Sequence, residues 1–456
     1  MTSRFAITTV DVDLPRIGRQ TLNFSKRSVE ENQTTILVGR NGTGKSSILR
    51  ELAMSFRAYF SKRELKSRQG MGRVSHIGIS CDGYDATLNV TADRKVFRRE
   101  REDLQALRPT RVIALSFTPF DKFPPADDIR DNMPGDSRDP FYIYLGFKAD
   151  VRMSPRSRLL RSIDQLAFSE RTPFGDQRVV ETLNAIGYGP VVTITYELSP
   201  KVPPADLESR SSELVDFLTG YQGERAPKSD RHSFSLVIDF STGETIPEVP
   251  IELDELRTFL RQGIVKVSSI VLRRRDFSDT VELLELSSGE LNLLSGFLGL
   301  ASFLEDGCVV LIDEPENSLH PEWQLSYVEM LDAVVRQHSG CHYVIATHSP
   351  LIVSGVANEA TKVLRLDQEP VELAPAVIAD SSPDATLLNA FKVVTAGNNF
   401  LKQLVLEALT FIETGKHKEH RAQELAGFLA SIWGSIPETD PLRDLVSEVV
   451  VAIQPQ

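Results

Sequence analysis

Lys45 and Ser46 close the run Gly39-Arg40-Asn41-Gly42-Thr43-Gly44-Lys45-Ser46. Glycines at these intervals let successive backbone N–H groups turn inward around an anion, with no Cβ in the way. A helix opening at once behind them would aim its N-terminal dipole at the same charge. The run fits GxxxxGK[ST], in which the lysine reaches the outer phosphates of a nucleotide and the hydroxyl ligates Mg²⁺. Gly39, Asn41, Gly42, Gly44, Lys45, Ser46 and Ser47 are therefore the expected cradle for ATP.

Two further segments supply acid–base chemistry. Val309-Val310-Leu311-Ile312-Asp313-Glu314 is an apolar run ending in two carboxylates. Asp313 is placed to join Ser46 in holding Mg²⁺, and Glu314 to polarise an attacking water. Thr347-His348-Ser349-Pro350 follows another apolar run, where His348 could donate to a terminal phosphate. The expected catalytic set is Glu314, His348 and Lys45.

Strands and helices must carry these residues. The run 34–38 reads as a buried strand and 46–56 as a helix with apolar Ile48, Leu49, Leu52 and Met54. Residues 75–90 read as a hairpin turning at Cys81-Asp82-Gly83, and 111–117 as a strand. Helices are expected at 154–168, 177–186, 289–304 and 321–338, and strands at 191–198, 233–240, 308–312 and 342–346. Continuous apolar strands alternating with helices predict an α/β class with a parallel sheet buried on both faces.

Composition sets outer bounds. The 456 residues are 41% hydrophobic and 25% charged, as in an ordinary folded protein. A formal net charge of −12 excludes a uniformly basic coat for nucleic acid. Cys81, Cys308 and Cys341 form no metal-binding or CxxC pattern and read as reduced thiols. No long apolar run or signal core is seen, so a cytoplasmic protein without membrane contact is expected.

Leu286-Ser287-Ser288-Gly289-Glu290 then resembles the signature motif of ABC-type ATPases, and phosphate loop, signature, acidic strand and histidine occur in that family's order. Asp313-Glu314-Pro315-Glu316-Asn317-Ser318-Leu319-His320-Pro321, with Gln324 beyond, is similar to the DEPE-x-x-LHP segment of the soluble RecF/SMC/OLD-like group, and so is Thr347 to Pro350. The resemblance implies a P-loop ABC-type head with a mixed sheet, a large α+β insertion and a small helical C-terminal segment. Boundaries are expected at 1–93 and 265–375 for the head, 94–264 for the insertion and 376–456 for the helical segment. It also implies a homodimer or higher homo-oligomer, in which Ser287 and Gly289 contact the nucleotide on the partner's Lys45 loop.

Two departures from the family pattern stand out. Ser288 replaces a glycine of the signature, and no glutamine follows the strand 111–117, where Thr118 or Asp121 could substitute. Phe5 and Phe24 are the candidates for stacking on adenine. The group's biology suggests an anti-phage defence regulator of the Septu, retron or PARIS type, partnered with a separate nuclease effector. The alternative is a DNA repair or chromosome-maintenance ATPase, which could contact DNA through Arg-rich clusters at 94–101, 152–161 and 273–275. A membrane-transporter motor fits poorly, because the insertion is too large.

Overall fold

The computed structural model describes residues 4–25, 32–60, 73–90, 104–118, 121–124, 141–146, 177–198, 233–248, 252–275, 279–336, 338–355, 361–366, 371–373, 382–394 and 398–453. The expected helix at 154–168 and the arginine clusters at 94–101 and 152–161 lie outside them.

A seven-stranded sheet carries the motifs. Its spatial order is Val371–Leu373, Thr361–Arg365, Gln33–Val38, His342–Thr347, Val309–Asp313, Val112–Ser116 and Tyr142–Tyr144. All neighbours run parallel except the antiparallel edge strand Val371–Leu373. The expected α/β class with a mixed sheet is thus observed. Its central strand Val309–Asp313 is apolar up to its last residue because both faces are covered. Val310, Ile312, Tyr343 and Ile345 face one core with the helices Ser288–Phe303 and Pro321–Val335. Leu311, Val344 and Ala346 face a second core under the helix Lys45–Phe60. Fully burying one such Val, Leu or Ile contributes about 1.5–3 kcal/mol, so these strands set a rigid platform.

Register places the chemistry. Asp313 pairs with Ser116 and Ala346, and Thr347 with Val38. The loops that follow all four strands therefore leave at one carboxyl edge, where open α/β sheets bind their ligands.

A four-stranded antiparallel sheet, Gly18–Asn23, Phe5–Leu14, Val74–Cys81 and Tyr84–Asn89, closes the second core over the helix Lys45–Phe60. Its hairpin turns at Asp82 and Gly83, both at positive φ, as the Cys-Asp-Gly signal predicts. Buried His342 joins the two sheets. Its Nδ1 accepts from the Ile7 N–H at 2.9 Å and its Nε2 lies 2.9 Å from the Thr35 hydroxyl. Burial lowers its pKa to about 3, so it stays neutral.

A five-stranded antiparallel sheet, Glu244–Pro247, Ser233–Asp239, Tyr188–Leu198, Val265–Arg274 and Thr280–Glu282, shares the first core. Two features differ from the expected boundaries. Val112–Ser116 and Tyr142–Tyr144 belong to the large sheet although they fall within 94–264. Val265–Arg274, assigned to the head, pairs with Tyr188–Leu198 instead. Such pairings are non-local, and a strand's apolar pattern does not encode which sheet it joins.

The C-terminal helices Asn399–Glu413, His420–Ile432 and Leu442–Ile453 pack around their own core of Leu401, Val405, Leu425, Leu429, Val446 and Val449. No helix among the described residues is long and apolar enough to cross a membrane.

Candidate nucleotide site

The phosphate loop leaves Val38 and enters the helix Lys45–Phe60 at once. Gly44 sits at φ 108°, and a Cβ there would lie 2.7 Å from Leu14 Cδ2. The backbone region therefore requires glycine, and a Cβ would also press on the Leu14 side chain. The Lys45 ammonium folds over the loop and donates to the carbonyls of Gly39 at 2.7 Å and Arg40 at 3.4 Å. Burial lowers its pKa, while the charges of Glu316, Glu314 and Asp313 push it back up. Arg16, from the turn between the first two strands, donates to the Asn41 carbonyl at 2.9 Å.

Asp313 lies buried at the end of its strand, and its Oδ1 has no hydrogen-bond partner. Its pKa is pushed up to about 7, first by burial and then by the charges of Glu314, Asp121 and Glu316; a hydrogen bond with Ser46 opposes this. A buried, unpartnered carboxylate oxygen beside a serine hydroxyl fits an oxygen-seeking divalent cation such as Mg²⁺. Among the described residues no group of three His, Cys, Asp or Glu side chains could hold a metal alone. Phosphate and water would have to complete the coordination, as is usual for Mg²⁺.

Glu314 adopts φ 48°, a left-handed conformation that non-glycine residues seldom take and that clusters at functional sites. Two contacts hold it there: its N–H donates to the Ala346 carbonyl at 2.9 Å, and Asn317 Nδ2 donates to its Oε2 at 3.0 Å.

Glu316, outside the expected catalytic set, positions His348. Its Oε1 accepts from the His348 backbone N–H at 2.7 Å and lies 3.0 Å from His348 Nδ1. With Nδ1 engaged, the ring presents Nε2 away from Glu316. The side-chain hydrogen bond to Glu316 raises the His348 pKa, with burial opposing. Burial pushes the Glu316 carboxyl up, but the His348 side-chain and backbone hydrogen bonds hold it below its ordinary value. The protonated pairing is favoured below the free histidine pKa of about 6.5 and is lost as pH rises through the raised folded value. Only the DEPE spelling hinted at this role.

Gln324 links the two motif segments. Its Nε2 donates to the Leu319 carbonyl at 3.0 Å, and its Oε1 accepts from the Ser349 hydroxyl at 2.6 Å. This gives a physical reason for the LHP segment, the glutamine and the THSP turn to occur together.

The signature segment is built as a capped helix start. Ser287 caps Ser288–Phe303, with Glu290 returning a bond to the Ser287 N–H at 2.9 Å. Tyr188, from the five-stranded sheet, donates to Glu290 at 3.1 Å. Ser287 and Ser288 are exposed, whereas Gly289 is buried. A Cβ on Gly289 would lie 2.5 Å from the Ser318 carbonyl oxygen, a backbone atom that cannot rotate aside. Gly289→Ala should therefore destabilise the chain by about 1–3 kcal/mol through overpacking. It should also slow hydrolysis while leaving nucleotide affinity intact, read by thermal melting and by titration with ADP.

Lys45, Ser46, Asp313, Glu314 and His348 thus converge at one edge, while Ser287 bonds Glu290 and Gly289 packs against Ser318. Phe5 and Phe24 cannot stack on adenine, since each is 1% exposed within the core. Asp121 is committed to holding its own turn, accepting from the Phe123 N–H at 2.9 Å and from the Tyr144 hydroxyl.

Comparison with known proteins agrees with the motif reading. A family model described as "AAA domain, putative AbiEii toxin, Type IV TA system" matches residues 191–354, less than half of the chain. The chain is 22% identical over 388 residues to the "Retron Vc95 probable ATPase" of Vibrio cholerae serotype O1 biovar El Tor, covering 74% of this chain and 70% of that protein. It is 24% identical over 182 residues to the "Retron Ec83 probable ATPase" of Escherichia coli, covering 37% of this chain but only 32% of that protein. Among solved structures, an SMC head bound to the C-winged helix domain of ScpA aligns over 81% of this chain and 98% of its own, at 12% identity and a TM-score of 0.36.

Proposed function

We propose that this chain is an ABC-type ATPase that hydrolyses ATP with Mg²⁺. One observation carries the reading: a lysine-bearing phosphate loop, a buried carboxylate with an unpartnered oxygen, a strained glutamate and a carboxylate-held histidine share one sheet edge. In this reading the loop N–H groups and Lys45 bind the phosphates, and Ser46 with Asp313 would hold Mg²⁺. The bound ion would supply charge neutralisation between the outer phosphates. Glu314 accepts a proton from the attacking water. His348, its Nδ1–H held by Glu316, donates from Nε2 to the terminal phosphate when its ring is protonated, the state that Glu316 favours.

Ser287 and Ser288 stand exposed at a helix N-terminus, which supports a face-to-face pair of copies with each signature on the other's nucleotide. The similarity to proteins named as retron ATPases supports the finer role. In that role the chain is a regulator in anti-phage defence whose nucleotide state controls a separate nuclease effector, with the helical C-terminal segment a contact for partner or oligomer. Purified chain should turn over ATP with Mg²⁺, stop when EDTA is added, and keep its rate when duplex DNA is supplied. Absence of turnover would contradict the ATPase reading, and several-fold stimulation by duplex would favour a DNA-maintenance clamp.

A further inference from the structure

We infer that Lys122, opposed by Arg73, forms a cationic clamp on the sugar-proximal phosphate of the nucleotide, at the hydroxyl of Ser47. The inference rests on the nucleotide reading of the Lys45 loop and adds a residue to it. Lys122 Nζ lies 3.1 Å from Ser47 Oγ, and Arg73 Nη1 lies 3.2 Å from the same oxygen. Ser47 is 5% exposed and belongs to the first turn of the helix Lys45–Phe60. Two cations thus meet at one neutral oxygen, and among the described residues neither has a carboxylate partner. Like charges brought this close repel, and an anion between them would turn the repulsion into two charge-assisted hydrogen bonds.

The position of Lys122 is built. Its turn is anchored on one side by Asp121, which accepts from Phe123 N–H and Tyr144 hydroxyl. On the other side the Tyr142 hydroxyl donates to the Pro124 carbonyl at 2.8 Å, and Phe123 is buried. The turn follows the strand Val112–Ser116, where the family pattern places an amide, and it delivers an ammonium instead. Which phosphate it meets follows from the loop. Lys45 folds over the Gly39 end and serves the outer phosphates, whereas Ser47 lies beyond the Ser46 hydroxyl along the helix. The clamp therefore grips the sugar-proximal phosphate, one of the two that ATP and ADP share.

The test is calorimetric titration of the full chain with ATP and with ADP. Lys122→Gln and Arg73→Gln should each weaken both nucleotides about tenfold or more, and Lys122→Arg should retain the affinity. Unchanged ADP affinity in Lys122→Gln, or a loss confined to ATP, would overturn the clamp while leaving the nucleotide site standing. If wild-type protein binds neither nucleotide, the site reading fails and the clamp with it. Thermal melting checks each variant; Lys122 is exposed, so Lys122→Gln decides the matter if Arg73→Gln does not fold.

Discussion

Glu314→Gln protein should bind ATP with the affinity of the parent chain and hydrolyse it about 10² to 10⁴ times more slowly. The substitution is close to isosteric. An amide oxygen can still accept from Asn317, and the backbone bond from Glu314 N–H to the Ala346 carbonyl is untouched. What disappears is the ability to take a proton from water, a loss of about 3–5 kcal/mol in barrier terms. The left-handed backbone at φ 48° argues that the carboxylate position is held for a purpose, since such conformations cost about 1–3 kcal/mol. Single-turnover phosphate release measures the effect. A variant that releases phosphate at the parent rate would remove Glu314 from the role of base.

Lys45→Ala should lower ATP affinity by about a hundredfold or more. Each hydrogen bond to a charged group contributes about 1.5–3 kcal/mol, and Lys45 can make more than one to the outer phosphates. A second effect works in the same direction. The charges of Glu316, Glu314 and Asp313 all act on the Lys45 ammonium. Without it, polyphosphate would enter beside Glu314 and Asp313 with one cation fewer to offset their charge. Calorimetric titration with ATP tests this, with thermal melting as the check on folding. ATP binding at parent strength would place the phosphates somewhere other than the Gly39 to Ser46 loop.

The chemistry of the site was legible where it is local in sequence. A glycine-rich loop, an apolar strand ending in Asp313-Glu314 and the Thr347 to Pro350 turn each declare themselves by residue type and spacing. The long-range bonds were not. Glu316 lies 32 residues from His348, yet its Oε1 decides which nitrogen that ring presents. Lys122 lies 75 residues from Ser47, and only the parallel pairing of Val112–Ser116 with Val309–Asp313 brings its turn to the loop. The same non-local pairing moved the expected boundary at 94–264. Phe5 and Phe24 illustrate the converse. Aromatic residues near a nucleotide loop are equally plausible as core, and here Phe5 packs edge-on against Phe56 while Phe24 covers His342. Gly289 combines both cases: the signature spelling pointed to phosphate, while the structure adds an approach of the Ser318 carbonyl that only glycine permits.

In the proposed function ATP joins two copies of this chain and hydrolysis parts them. The most direct measurement is the solution mass of Glu314→Gln protein with and without ATP and Mg²⁺. The expected result is a 50.8 kDa chain whose particle mass doubles when both are added and reverts when Mg²⁺ is chelated. A mass that is the same in both conditions, whether monomer or larger assembly, would contradict nucleotide-driven pairing.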